Sequence, residues 1–127
     1  MPARIVFVHD DPEFLEPATA ALRSAVHDVM TFSASMEALA ALEESETVEL
    51  LITRVRFPEG TPHGIALARM GQSKRPGLKV IFTAREDMEE FTEGLGELIP
   101  HPVNIPDLVA ATNKALSEDE PPLKSCA

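Results

Sequence analysis

Short apolar runs alternate along this chain with stretches in which apolar residues return every three or four positions. Ile5-Val6-Phe7-Val8 is a continuous apolar run, the pattern of a strand covered on both faces of a parallel sheet. Phe14, Leu15, Ala18, Ala21, Leu22 and Ala25 then recur at helical spacing. Pro12 suits a first helical turn, but Pro17 would cost about 3 kcal/mol inside a helix, so a distorted or late-starting helix is predicted. Residues 29–32 form a second short run, and Ser33 or Ser35 can cap the helix whose stripe is Met36, Leu39, Ala40 and Leu42. Residues 48–53 predict a third buried strand, followed by a loop rich in Pro and Gly. A third helix through Ile65, Leu67, Ala68 and Met70 is expected to stop at Gly71 or at the Lys74-Arg75-Pro76-Gly77 breaker. Residues 78–83 predict the fourth strand, 87–91 a short acidic helix and 97–100 a fifth strand. Asn104 is set to cap the last helix, with Asp107 three residues on.

Strand-then-helix units in series predict an α/β domain with a doubly wound, five-stranded parallel sheet, because right-handed crossovers place helices on both faces. Ligand sites in such sheets form beyond the carboxyl ends of the strands. The residues there are His9, Asp10 and Asp11 after the first strand, Arg54 after the third, Thr83 and Ala84 after the fourth, and His101 and Pro102 after the fifth.

The chain has 127 residues, 44% of them hydrophobic and 25% charged, which fits one globular domain over 1–117 and a polar tail or linker over 118–127. The single cysteine, Cys126, rules out an intrachain disulfide. No apolar run is long enough to span a membrane, and the first residues lack a signal-peptide layout. A net charge of −10 repels a phosphate backbone, so the expectation is a cytoplasmic protein that binds neither nucleic acid nor membrane. His27 and His63 read as surface residues, and no nucleophile–base pairing points to an enzyme.

With Asp10-Asp11-Pro12 after strand one, Arg56-Phe57-Pro58 past strand three, Thr83-Ala84 ending strand four and His101-Pro102 ending strand five, the chain resembles a response regulator receiver (CheY-like) domain. The resemblance runs from about Arg4 to Leu116 and implies the flavodoxin-like (βα)5 fold and a role in two-component (phosphorelay) signal transduction. It also implies functional positions, and here the chain departs. The adjacent acids that hold a divalent cation fall on His9 and Asp10, with Asp11 beside them, and the phospho-accepting aspartate falls on Arg54. Thr83 keeps the strand-four hydroxyl, while the lysine position before Pro102 is His101. The chain has no aspartate between Asp28 and Asp87, and Glu49 and Glu59 do not fall at the strand's end. The expectation is therefore a pseudo-receiver with a lost magnesium site, no cofactor, and Asp10 and Asp11 as vestigial ligands. Arg54 either pairs with Asp10 or Asp11 or extends into solvent.

The relay aromatic of receivers falls on Leu98, and the stretch from Thr83 to His101 is shorter than usual by roughly one helical turn. Function is expected to run through a protein partner or a homodimer. The candidate surface is formed by Glu86, Glu89 and Glu90 with Leu98, Ile99 and Val103. The alternative is a sensor that binds a metal or small ligand in the altered pocket.

Overall fold

The computed structural model describes residues 4–9, 12–25, 27–33, 35–44, 48–55, 64–75, 77–84, 96–100 and 103–117. Five strands, β1 (Arg4–Val8), β2 (Asp28–Phe32), β3 (Val48–Arg54), β4 (Lys79–Ala84) and β5 (Glu97–Pro100), pair in parallel in the order β2-β1-β3-β4-β5. The described helices are α1 (Pro12–Ser24), α2 (Ser35–Glu44), α3 (Gly64–Lys74) and α4 (Ile105–Ser117). This is the doubly wound, flavodoxin-like order expected from the sequence, with its reversal between β1 and β3. The short helix expected over 87–91 lies outside the described residues, as does the tail over 118–127.

The pleat divides each central strand between two cores. Val6 and Val8 of β1, Leu51 of β3 and Phe82 of β4 join Ala38, Leu42, Leu67 and Ala68 beneath α2 and α3. Ile5, Phe7, Leu50, Ile52 and Ile81 join Ala18, Leu22, Leu108 and Ala115 beneath α1 and α4. Burial on both faces is why β1 and β3 read as unbroken apolar runs rather than alternating ones.

Two helices decide between alternatives that the sequence left open. α1 begins at Pro12 and continues through Pro17, so it does not start late. Pro17 lies on the exposed side of the helix, where the lost backbone hydrogen bond faces solvent, while Ala18 and Leu22 anchor the opposite face. α3 runs past Gly71 and ends at Lys74, the start of the breaker expected as the other stop. Gly71 is buried in the helix, where an added Cβ would stand 2.9 Å from Leu78 Cδ2 and 3.2 Å from Leu42 Cδ1. Here glycine allows α3 to close on its neighbours. The last helix behaves as read: Asn104 Oδ1 accepts from the Asp107 amide at 3.4 Å, and the Asn104 carbonyl accepts from Leu108 at 3.0 Å.

Candidate functional site

The reversal of strand order puts the ends of β1 and β3 side by side, with β4 next in line, so three predicted site residues share one edge of the sheet. Val8 pairs with Thr53, and Arg54 pairs with Thr83. Continuing the pleat places His9 with Phe7, Arg54 with Ile52 and Thr83 with Ile81, all on the α1/α4 side of the sheet. Residues far apart in sequence thus form a row, His9, Arg54 and Thr83, across adjacent strand ends.

His9 packs against two aromatic rings. It is 5% exposed, and its ring lies 4.7 Å from that of Phe14 in α1 and 6.5 Å, edge-on, from that of Phe7. Its backbone amide donates to the Phe32 carbonyl at 3.0 Å, tying the exits of β1 and β2 together. An imidazole offers an aromatic face that an aspartate in the same place would lack, so the ring completes a cluster with Phe7 and Phe14. The contact with Phe14 in α1 was not anticipated from the sequence.

Arg54 closes β3 with its side chain half-buried. Its backbone is tightly framed. The Thr53 hydroxyl donates to the Arg54 carbonyl at 2.9 Å, the Val55 amide donates to the Thr83 carbonyl at 3.3 Å, and the Gly64 amide donates to the Val55 carbonyl at 2.8 Å. A Cβ on Gly64 would overlap the Arg54 carbonyl oxygen, so a residue without a side chain lets α3 start against the end of β3.

Thr83 is 1% exposed, and its Oγ1 is buried without a hydrogen-bond partner among the described residues. Thr53, equally buried, has satisfied its hydroxyl. Asp10, Asp11, His101, Pro102, Glu86, Glu89 and Glu90 lie outside the described residues, and with them the expected ion pair between Arg54 and Asp10 or Asp11. Among the described residues, no three His, Cys, Asp or Glu side chains come together in a metal-binding group.

The apolar part of the expected partner surface is reduced. Ile99 is only 8% exposed and belongs to the core beneath α1 and α4, because the pleat of β5 turns it inward. Leu98 points to the opposite core, and Leu98 and Val103 are each partly buried. A groove of about 290 Å³ beside α1 and β2, lined by Leu15, Glu16, Thr19, Ala20, Arg23 and Thr31, contains none of the predicted site residues.

One contact escaped the sequence reading. His27, expected as a bland surface residue, shares a 2.8 Å hydrogen bond with Asn113 Oδ1 and so joins the start of β2 to α4. The two residues lie 86 positions apart, and neither sits in a pattern that marks a pair.

No family model and no curated protein matches the sequence. Solved structures do match. A response regulator receiver protein from Sinorhizobium medicae is 20% identical with a TM-score of 0.84, over 94% of this chain and 98% of that one. A CheY-like receiver domain protein from Methanospirillum hungatei is 27% identical with a TM-score of 0.82, over 94% and 97%. A receiver domain protein from Clostridium thermocellum is 25% identical with a TM-score of 0.78, over 91% and 95%. With the strand order and the site's place on the sheet, these matches establish that the chain has the CheY-like fold of response regulator receiver domains.

Proposed function

We propose that the protein is a cytoplasmic receiver-like module of two-component signalling that acts by binding a protein partner or a second copy of itself, without phosphorylation at the end of β3 and without catalysis. One observation carries this reading: Arg54 is the last residue of β3 and is in register with Thr83. The position to which the resemblance assigns the phospho-acceptor therefore holds a guanidinium, which is no nucleophile near neutral pH. Glu49, the carboxylate of the same strand, is exposed near its opposite end, roughly 16 Å back along the chain at 3.3 Å per residue. The packing of His9 on Phe14 also favours a pocket that has given up one cation ligand, and on this reading the pocket has no use for magnesium.

The test is incubation with acetyl phosphate and magnesium, read by intact mass and hydroxylamine sensitivity. No acyl-phosphate adduct is expected. An adduct mapped to Asp10, Asp11, Glu49 or Glu59 overturns the reading. Arg54→Asp is also expected to stay unphosphorylated, because His9 and His101 still depart from the pattern that the resemblance implies. For the partner surface, β5 and α4 offer the half-exposed Leu98 and Val103. Sedimentation of the purified chain, and pull-down comparing the wild type with charge reversals at Glu89 and Glu90, test it. A chain that stays monomeric and loses no captured partner on reversal removes the surface.

A further inference from the structure

We propose that the groove between α1 and β2 binds a small zwitterion, a free apolar amino acid, with Arg23 taking its carboxylate, Glu16 its ammonium group and Thr19 adding a hydroxyl contact.

The argument starts from the hydroxyl. Thr19 is 6% exposed, and its Oγ1 has no hydrogen-bond partner among the described residues. A threonine inside a helix can return its hydroxyl to the carbonyl four residues back, here that of Leu15, and Thr19 does not. Buried polar groups nearly always have a partner, so this one marks a place where a guest can supply it. Thr19 itself lines the groove of about 290 Å³ beside α1 and β2. Threonine has two ready χ1 rotamers in a helix, so a turn about one bond presents the hydroxyl to whatever fills the groove.

The walls set the chemistry of the guest. Glu16 lies one turn before Thr19 and Arg23 one turn after it, on the same face of α1 as Leu15 and Ala20. At 1.5 Å per residue, Glu16 and Arg23 start about 10 Å apart along the helix axis, so they flank Thr19 with opposite charges. Arg23 reaches across to β2 and donates to the Val29 carbonyl at 3.0 Å, which holds its guanidinium at the groove. A guanidinium has five donors, so others remain for a carboxylate. The Glu16 carboxylate only accepts, which suits an ammonium group. Leu15 and Ala20 add apolar wall, and Thr31 of β2 adds a second hydroxyl. A simple anion would meet Glu16 and a simple cation would meet Arg23, whereas a dipolar molecule answers both. Ligand pockets usually run from about 300 to 1,000 Å³, so this groove takes a small guest. It shares no residue with the end of β3, and the proposal therefore stands or falls apart from the function proposed above.

The experiment titrates the full isotope-labelled chain with glycine, L-alanine, L-valine and L-leucine and reads amide shifts by NMR. Sodium acetate and methylammonium chloride, at matched ionic strength, are the single-charge controls. Saturable shifts at the Glu16, Thr19, Arg23 and Thr31 amides are expected with at least one amino acid, and weaker binding with either control. Thr19→Val should lower the affinity about tenfold, the loss of one hydrogen bond to a charged group. Thr19→Ser keeps the hydroxyl and should bind as the wild type does. Glu16→Gln should weaken the amino acid roughly two- to fivefold, as for an exposed ion pair, and should not weaken acetate. Shifts that never saturate with any of the four, a response unchanged in Thr19→Val, or acetate bound as tightly as the amino acids overturn the proposal. Should Thr19→Val fail to fold, Arg23→Lys decides instead, since it keeps the charge and loses the fork, and an unchanged affinity there overturns the proposal as well.

Discussion

The middle of the sheet and its carboxyl edge are built on different rules. In the middle, Ile5 to Val8, Leu50 to Ile52 and Ile81 to Phe82 are all fully buried and all apolar, so each side chain is stabilised by leaving water. One or two steps further along the same strands the residues are still buried or half-buried, but they are His9, Thr53, Arg54 and Thr83. Burial there brings desolvation costs that must be offset by specific partners. His9 finds aromatic rings, Thr53 finds a carbonyl, and Thr83 finds no partner among the described residues. In the middle of the sheet burial alone stabilises, and at the edge each side chain depends on a particular partner.

The sharpest way to break this contrast is to cut into the middle. Phe82 is fully buried in the core beneath α2 and α3, and Phe82→Ala removes a ring that no neighbour can replace. A loss of about 3–5 kcal/mol is expected in urea unfolding. The edge should respond to charge rather than volume. His9→Asp places a carboxylate where a ring packs on Phe14, and a loss of roughly 2–3 kcal/mol at neutral pH is expected, as for a buried polar group without a partner. His9→Phe keeps the ring and should lose less than His9→Asp in the same assay. If the aspartate variant proves as stable as the phenylalanine variant, His9 is not acting as an aromatic. Gly64→Ala drives a methyl into the Arg54 carbonyl, and a loss of roughly 1–2 kcal/mol is expected as the start of α3 shifts.

The same contrast separates what could be read from the sequence from what could not. The strands were legible because a segment covered on both faces must be apolar throughout, and 5–8 and 48–53 are local signals of that kind. Helices on both faces followed from the handedness of crossovers, and the flavodoxin-like arrangement from the resemblance of the strand ends. Pro17 misled because intrinsic propensity is a local term, and the packing of Ala18 and Leu22 outweighs it. The end of α3 stayed open between Gly71 and the breaker at Lys74 because a glycine that permits close packing looks, in sequence, like one that ends a helix. At the edge, Arg54 and Thr83 could be placed by counting along their strands, but the environment of each side chain could not. That His9 lies against Phe14 depends on how α1 leaves β1, and that Ile99 turns inward depends on the phase of a four-residue strand. The bond from His27 to Asn113 joins residues with no shared pattern, so only the folded chain brings them together.

The smallest expected effect is the most informative about the edge. Thr83→Val replaces a hydroxyl by a methyl of nearly the same size in a site that is 1% exposed. In an ordinary buried threonine the change costs stability, since a hydrogen bond is lost. Thr53→Val, which removes the 2.9 Å bond to the Arg54 carbonyl, should cost about 0.5–1.5 kcal/mol. Thr83 has no bond to lose among the described residues, and its hydroxyl has already left water. Thr83→Val should therefore be neutral or gain up to about 1 kcal/mol in chloride, a sign opposite to that of Thr53→Val one strand away. Urea unfolding of the two variants side by side in the same salt checks it, because the two threonines are equally buried on adjacent strands, on opposite faces of the sheet, and one hydroxyl is satisfied while the other is not. Equal losses in the two variants would mean that the Thr83 hydroxyl has a partner in solution within the chain, and the edge would then follow the same rules as the middle.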